Sequence, residues 1–235
     1  MLIVLVCMAG CEAREHIPTY PLMPAAQTFE QLRTHSAQVQ TVSGEGSLRM
    51  TRPDGQSIGL DAAVVLRPPD QARVRAWKFG RAVFDLTVLP GGVYVLAPRE
   101  SSQREQILGA GSRAATMIRD WLKLTTGGFD ANDLQERGNE LIATRAEPDG
   151  GKLLCTIDRR TITARAFKLT DPTGRERFSL TLDRYVESNG NVWPTRIEAK
   201  SEEGGELRFE LREVELNGEL PAEAFRPPPR AERLP

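Results

Sequence analysis

The sequence predicts a mainly β (α+β) domain in which one large, curved antiparallel sheet of about ten strands forms a half-barrel, its concave face lidded by two main helices. Three observations predict it. Short apolar–polar alternations recur between turn signals, which is typical of strands joined as hairpins. Each alternation is apolar on one face only, as in an antiparallel sheet with one solvated face. Two amphipathic helical stripes need an apolar surface to cover, and a sheet this wide twists and curls around one.

The first of these helices opens the domain. Thr28-Phe29-Glu30-Gln31 is a capping-box pattern, in which Thr28 is predicted as the N-cap and Gln31 as the third helical residue. Five strands follow as a meander, with turns predicted at Pro53-Asp54-Gly55, Pro68-Pro69-Asp70 and Pro90-Gly91-Gly92. These hairpins make the first half of the sheet.

A second main helix is predicted to interrupt the strands. Its N-cap is predicted at Ser112, and apolar residues follow at helical spacing. They are Ala114, Met117, Ile118, Trp121 and Leu122. A shorter helical turn is predicted near Asp130, with Asp133 and Leu134 inside it.

The second half of the sheet is predicted from Leu141 to Leu216, where the period-two alternation resumes. Near the end of this region the apolar phase changes between Leu211 and Val214. An extra residue in one strand causes such a change, so we predict a β-bulge near Glu213.

Residues 1–10, MLIVLVCMAG, form an uncharged and mostly apolar run that precedes Cys11. The run is shorter than a membrane-spanning helix, which needs about 20 residues, and it fits the apolar region of a signal peptide. Met8-Ala9-Gly10-Cys11 resembles a bacterial lipobox, which implies thioether lipidation of Cys11 and removal of residues 1–10. The alternative interpretation is a short buried strand with an incidental cysteine.

The prediction divides the chain into a signal peptide (1–10), a flexible tether (11–27), the folded domain (28–225) and a proline-rich tail (226–235). The tether contains three prolines and no periodicity, which is typical of an extended linker. Proline also keeps the tail out of helices and central strands, because it fixes φ and lacks a backbone N–H.

Composition and residue types exclude several classes of function. With 31 basic and 32 acidic residues the net charge is -1, whereas nucleic-acid-binding proteins show a concentrated basic excess. The two histidines, His16 and His35, have no candidate partners, and Cys155 has no second ligand at metal-binding spacing. We therefore expect no nucleic acid, no metal and no cofactor.

Catalytic motifs are missing as well, since nucleophile-elbow, phosphate-loop and HExxH patterns do not occur. A carboxylate pair such as Asp61 with Asp85 is the kind that supports acid–base catalysis, but alternating charges on an exposed sheet face explain both residues. We therefore predict that the protein is not an enzyme and has no catalytic residues.

Three segments carry a family resemblance. They are Ser43-Gly44-Glu45-Gly46-Ser47-Leu48 at the first strand, Asn191-Val192-Trp193-Pro194-Thr195-Arg196-Ile197 at a late strand, and Phe225-Arg226-Pro227 at the close. Together they resemble the LolA/LolB-like superfamily of periplasmic lipoprotein carriers and receptors, with its related lipid-binding lipoproteins. The resemblance covers roughly residues 28–229 and implies that acyl chains sit between the concave sheet and the helices.

The alternation independently predicts a largely aliphatic interior, where burial of an acyl chain contributes about 0.8 kcal/mol per CH₂. The candidate ligand-binding residues are Leu60, Ala62, Val64, Phe84 and Leu86 from the sheet, and Met117, Ile118, Trp121 and Leu122 from the second helix. The same residues would equally well fill a solid core.

We therefore expect a bacterial envelope lipoprotein that faces the periplasm and is anchored in a membrane, the outer rather than the inner, by lipid on Cys11. It is expected to bind lipid or the acyl chains of lipoproteins, with a role in their transport to the outer membrane. The alternative is a non-enzymatic scaffold or stress-sensing lipoprotein that has a filled core and binds an envelope protein partner. An apolar cavity of several hundred Å³ would favour lipid, and a dry packed core would favour the partner.

Overall fold

The computed structural model describes residues 17–96, 129–188, 190–202 and 204–234. Within these ranges there are one α-helix and thirteen β-strands. They are α1 (Ala25–Ala37), β1 (Val42–Thr51), β2 (Ser57–Arg67), β3 (Gln71–Lys78), β4 (Arg81–Leu89), β5 (Gly92–Leu96), β6 (Asp133–Arg137), β7 (Glu140–Ala146), β8 (Lys152–Asp158), β9 (Thr163–Thr170), β10 (Glu176–Ser188), β11 (Asn191–Ser201), β12 (Glu206–Leu216) and β13 (Glu232–Leu234).

All thirteen strands belong to one antiparallel sheet, in the order β13-β5-β4-β3-β2-β1-β12-β11-β10-β9-β8-β7-β6. The sheet contains two runs of consecutive hairpins, β1 to β5 and β6 to β12, and the pairing of β1 with β12 joins them. The prediction of one large antiparallel sheet is confirmed, with more strands than the ten or so expected. Among the described strands, β13 and β6 form its two open edges.

One face of the sheet is buried in all strands between the two edge strands, and we call it the inner face. Cross-strand registers align its apolar residues in rows, for example Leu48 with Leu60 and Val64 with Val74 and Leu86. The opposite, outer face carries ion pairs such as Arg208 with Glu198 and Lys168 with Glu176. Burial of each large aliphatic side chain contributes about 1.5–3 kcal/mol, so the inner face provides most of the stabilisation.

Helix α1 begins at Ala25, three residues before the predicted N-cap. Thr28 is buried inside the first turn, where its backbone N–H donates to the Pro24 carbonyl at 2.9 Å. The side chain that caps the helix comes from β6, since Glu136 Oε1 accepts the Ala25 N–H at 2.8 Å. The capping-box prediction was wrong because a carboxylate distant in sequence satisfies the free N–H group.

The second main helix was predicted over residues that lie outside the described ranges. The shorter helical turn predicted near Asp130 is wrong. Asp133–Arg137 forms β6, which pairs with β7 across a turn whose Gly138 has a φ of 61°. Strand pairing prevails here because Leu134 faces Ala143 of the buried β7.

The predicted bulge is confirmed in β12. Glu45 pairs with Glu213 and the next residue, Gly46, pairs with Leu211, so Arg212 is the extra residue. A Cβ atom on Gly46 would overlap the Glu210 carbonyl oxygen. The two strands therefore approach closely only because β1 has glycine at this position.

The C-terminal segment runs from the end of β12 to the far side of the first meander. Phe225 is buried on the way, with the Arg67 guanidinium carbon 5.0 Å from its ring centroid. Residues 232–234 then pair with β5 as the edge strand β13. The proline-rich tail thus completes one edge of the sheet, a place where proline is tolerated.

Candidate functional site

The five candidate ligand-binding residues from the sheet lie together on the inner face. Leu60, Ala62 and Val64 are on β2, while Phe84 and Leu86 are on β4, and all five are buried. The intervening strand β3 adds Val74 and Ala76, which sequence reasoning did not select. Their period-two spacing in β3 was the available signal.

These residues form two cross-strand rows, Ala62–Ala76–Phe84 and Val64–Val74–Leu86. We call this surface the aliphatic wall. Ala62 and Ala76 have smaller side chains than their neighbours in it, so the surface is recessed at these two positions. Such a surface offers only apolar contact, and hydrophobic contact is non-directional. It therefore suits a flexible hydrocarbon chain as well as it suits core packing.

The other four candidate residues, Met117, Ile118, Trp121 and Leu122, lie outside the described residues.

Aromatic side chains fill the β6–β9 end of the inner face, where α1 packs. The rings of Phe29 and Phe129 meet edge-to-face with centroids 5.9 Å apart, and those of Phe129 and Phe167 meet likewise at 6.2 Å. The Arg145 guanidinium carbon lies 5.6 Å from the Phe129 centroid. This end of the face is packed with protein side chains.

Two of the hollows lined by described residues lie next to the sheet. The larger, about 380 Å³, lies over the outer side of β6–β10 and includes Ile142, Leu154, Ala166 and Lys168 in its lining. The smaller, about 60 Å³, lies between α1 and β9–β11. Of the five candidate sheet residues, none lines either hollow.

An ion cluster around the buried Asp85 lies on the outer side of β3 and β4. Both Asp85 carboxylate oxygens accept hydrogen bonds from Arg73, at 3.0 and 2.8 Å, and Arg75 Nε lies 3.2 Å away. Arg73 also donates to the Ala224 carbonyl at 3.2 Å, so the C-terminal segment covers the pair. The expectation that Asp85 lies on an exposed face is wrong, whereas Asp61 is exposed as expected.

The buried titratable groups are poor candidates for chemistry. Burial raises the pKa of the Cys155 thiol, so the nucleophilic thiolate is disfavoured. Burial also raises the pKa of Tyr185, whose hydroxyl donates to the Ala164 carbonyl. In the part of the chain that the structure describes, no group of three or more His, Cys, Asp or Glu residues could hold a metal ion.

One exposed aromatic residue is a feature that sequence reasoning missed. Phe79 and Gly80 form the two-residue turn between β3 and β4, with φ values of 52° and 72°. Phe79 is 92% exposed, and Lys78 Nζ lies 5.6 Å from its ring centroid. We call residues 78–81 the Phe79 tip. A bulky residue before glycine in a turn this short was the signal in the sequence.

Solved structures share this fold at low sequence identity. A LolA superfamily protein from Nitrosomonas europaea is 14% identical with a TM-score of 0.55, and a DUF1329 family protein from Desulfovibrio piger is 11% identical with a TM-score of 0.61. A domain named for outer membrane lipoprotein sorting, from Vibrio parahaemolyticus, is 9% identical with a TM-score of 0.51. Each alignment covers 86% of this chain and 97% of the other. The chain therefore has a LolA-like fold.

No protein-family model matches the sequence, and no curated protein matches it. Among the described residues, no helix is both long and apolar enough to cross a membrane.

Proposed function

We propose that this protein is a bacterial envelope lipoprotein, anchored through Cys11, whose LolA-like domain binds lipid or the acyl chains of other lipoproteins on the inner face. The observation that carries the proposal is the aliphatic wall on β2–β4, formed around Ala62 and Ala76. The likeness to a domain named for lipoprotein sorting supports it at the level of fold.

Hydrocarbon burial supplies the affinity in this proposal. Each CH₂ group contributes about 0.8 kcal/mol when it leaves water, so ten buried groups contribute about 8 kcal/mol. Val64, Phe84 and Leu86 would contact the chain from the sheet. Met117, Ile118, Trp121 and Leu122 are proposed as the opposing wall.

The anchor is proposed from the lipobox-like Met8-Ala9-Gly10-Cys11. Lipid on Cys11 would place the domain at a membrane surface facing the periplasm, and we propose the outer membrane and a role in lipid or lipoprotein transport to it. Mass spectrometry of the N-terminal peptide from membrane-extracted protein tests the modification. An unmodified peptide that begins at Met1 would refute the anchor.

The lipid proposal is tested by native mass spectrometry of the chain from Glu12 onward, prepared without detergent. We expect a co-purified lipid, or uptake of added phospholipid or fatty acid. In Ala62→Phe the new ring projects from the inner face, and we expect the bound fraction to fall. The matched control is Ala63→Phe, since Ala63 is the next residue of β2 and projects from the opposite face.

Circular dichroism and unfolding curves show whether both variants remain folded. A folded Ala62→Phe variant that binds lipid as well as Ala63→Phe would place the ligand elsewhere. Wild-type protein with an apo mass and no lipid uptake would refute lipid binding.

The second candidate function is a scaffold or stress-sensing lipoprotein that binds an envelope protein partner. The observation that favours it is the Phe79 tip, which presents an exposed aromatic ring between two basic residues. An apo wild-type mass, combined with a partner whose binding is lost in Phe79→Ser, would support this alternative.

A further inference from the structure

The two exposed large apolar side chains among the described residues lie at opposite ends of the sheet. Successive turns of an antiparallel meander alternate between two rims. The near rim contains the turns at 138–139 and 159–162, and the far rim contains those at 52–56 and 79–80. Leu22, 49% exposed, lies at the near rim, and Phe79 lies at the far rim.

Residues 17–24 are bound to the near rim. The Tyr20 backbone N–H donates to the Arg160 carbonyl at 2.7 Å, and the Tyr20 ring lies 5.9 Å from that of His35. Arg159 Nη2 donates to the Met23 carbonyl at 2.6 Å. This part of the sequence, predicted as flexible tether, is therefore fixed against the domain at two successive points.

Arg159 connects this segment with the adjacent turn. Its side chain is buried, and Nη1 donates to the Gly138 carbonyl at 2.9 Å and lies 3.2 Å from Glu136 Oε2. Glu136 in turn accepts the first N–H of α1 through its other oxygen. The N-terminal segment, the turn and the helix are thus joined by one connected set of contacts around the buried Arg159.

The fixed segment leaves a short connection to the proposed anchor. Residues 12–16 separate Cys11 from Ile17, and six residue-to-residue steps span at most about 22 Å. The ten residue-to-residue steps of β2 rise about 33 Å between the two rims. The far rim therefore lies beyond the reach that this connection allows.

We infer that the near rim rests on the membrane that holds the anchor, with the Phe79 tip facing away from it. The inference rests on the proposed lipidation of Cys11. Leu22, flanked by the exposed Pro21, supplies an apolar contact for the lipid surface. The Phe79 tip is then presented to whatever approaches from the side opposite the membrane.

The orientation can be measured without the cellular lipidation step. Chain 11–235 is coupled through Cys11 to phosphatidylcholine vesicles that contain a maleimide lipid, and Cys155 stays unreacted because it is buried. A donor fluorophore is attached through a non-natural amino acid at Asn139 in the near-rim turn or at Asp54 in the far-rim turn, with acceptor-labelled lipid headgroups. We expect greater energy transfer from position 139 than from position 54. Equal or reversed efficiencies would overturn the inference.

A variant that releases residues 17–22 serves as the internal test. Tyr20→Pro removes the N–H that binds the Arg160 carbonyl without altering any strand. The chain is then held only from Met23 onward, which lengthens the connection to the anchor, so we expect the difference between the two positions to shrink. Arg160→Met keeps that carbonyl and should keep the difference. Absence of lipid on Cys11 from cells would refute the anchor, whereas reversed transfer on vesicles refutes the orientation alone.

Discussion

At the scale of single residues, burial distinguishes two aspartates that look alike in the sequence. Asp61 and Asp85 each lie between two apolar residues in a strand, and both fitted the pattern of an exposed charged face. The Asp85 side chain is only 3% exposed and is held by Arg73, whereas that of Asp61 is 58% exposed. The covering residue, Ala224, is distant in sequence, so alternation alone could not reveal the difference.

This contrast gives a matched pair of substitutions. Asp85→Asn leaves the largely buried Arg73 without its counter-charge, and we expect the free energy of unfolding to fall by about 3 kcal/mol. Asp61→Asn affects an exposed ion pair and should change it by less than about 0.5 kcal/mol. Urea denaturation followed by circular dichroism measures both. Equal effects of the two substitutions would contradict the structural role assigned to Asp85.

At the scale of elements, local patterns predicted strands well and helix ends poorly. The phase change after Leu211 located the bulge in β12 because side-chain alternation is itself a local property. The start of α1 depends on Glu136, more than 100 residues away in sequence, so the local Thr28 pattern was misleading. β6 was missed for a similar reason, since its pairing with β7 outweighs a short helical pattern.

The β3–β4 hairpin departs from the usual preference of its turn. Two residues with positive φ favour Asn-Gly, and phenylalanine at the first position is strained. We expect Phe79→Asn to raise the free energy of unfolding by up to about 1 kcal/mol, because the exposed ring contributes little packing. Gly80→Ala, at a φ of 72°, should lower it and serves as the control in the same urea series. A destabilised Phe79→Asn would mean that the ring packs against the domain, and its exposure would then no longer favour an interaction with a partner.

At the scale of the whole molecule, the sequence predicts the architecture better than the site. Period-two alternation specifies which face of each strand is buried, so Leu60, Ala62 and Val64 were identified as inner-face residues. Whether an inner-face residue contacts a ligand or a neighbouring side chain depends on how closely distant elements approach. The apolar–polar alternation in the sequence is the same whether the residue contacts a ligand or a neighbouring side chain. The Phe79 tip and the fixed segment 17–24 escaped prediction because exposure and docking depend on tertiary structure.

The edge of the sheet formed by β13 determines whether copies of the protein associate with one another. β13 covers the edge of β5, and Arg233 Nη2 reinforces it by donating to the Gly91 carbonyl at 2.6 Å. Ending the chain after Arg226 removes β13 and leaves the β5 edge unpaired, while the Arg73–Ala224 contact stays. Unpaired apolar edges template strand addition, so we expect concentration-dependent association of the truncated chain in size-exclusion chromatography with light scattering.

The same edge supplies the control for this prediction. Tyr94 pairs with Arg233 in the intact sheet, so Tyr94→Lys in the truncated chain places a charge on the exposed edge. A charged edge strand resists pairing, and we expect this variant to have the same oligomeric state as the full-length chain. A folded truncated chain that has the same oligomeric state as the full-length protein at every concentration would show that β13 does not protect the edge. Association that persists in Tyr94→Lys would place the contact on another surface.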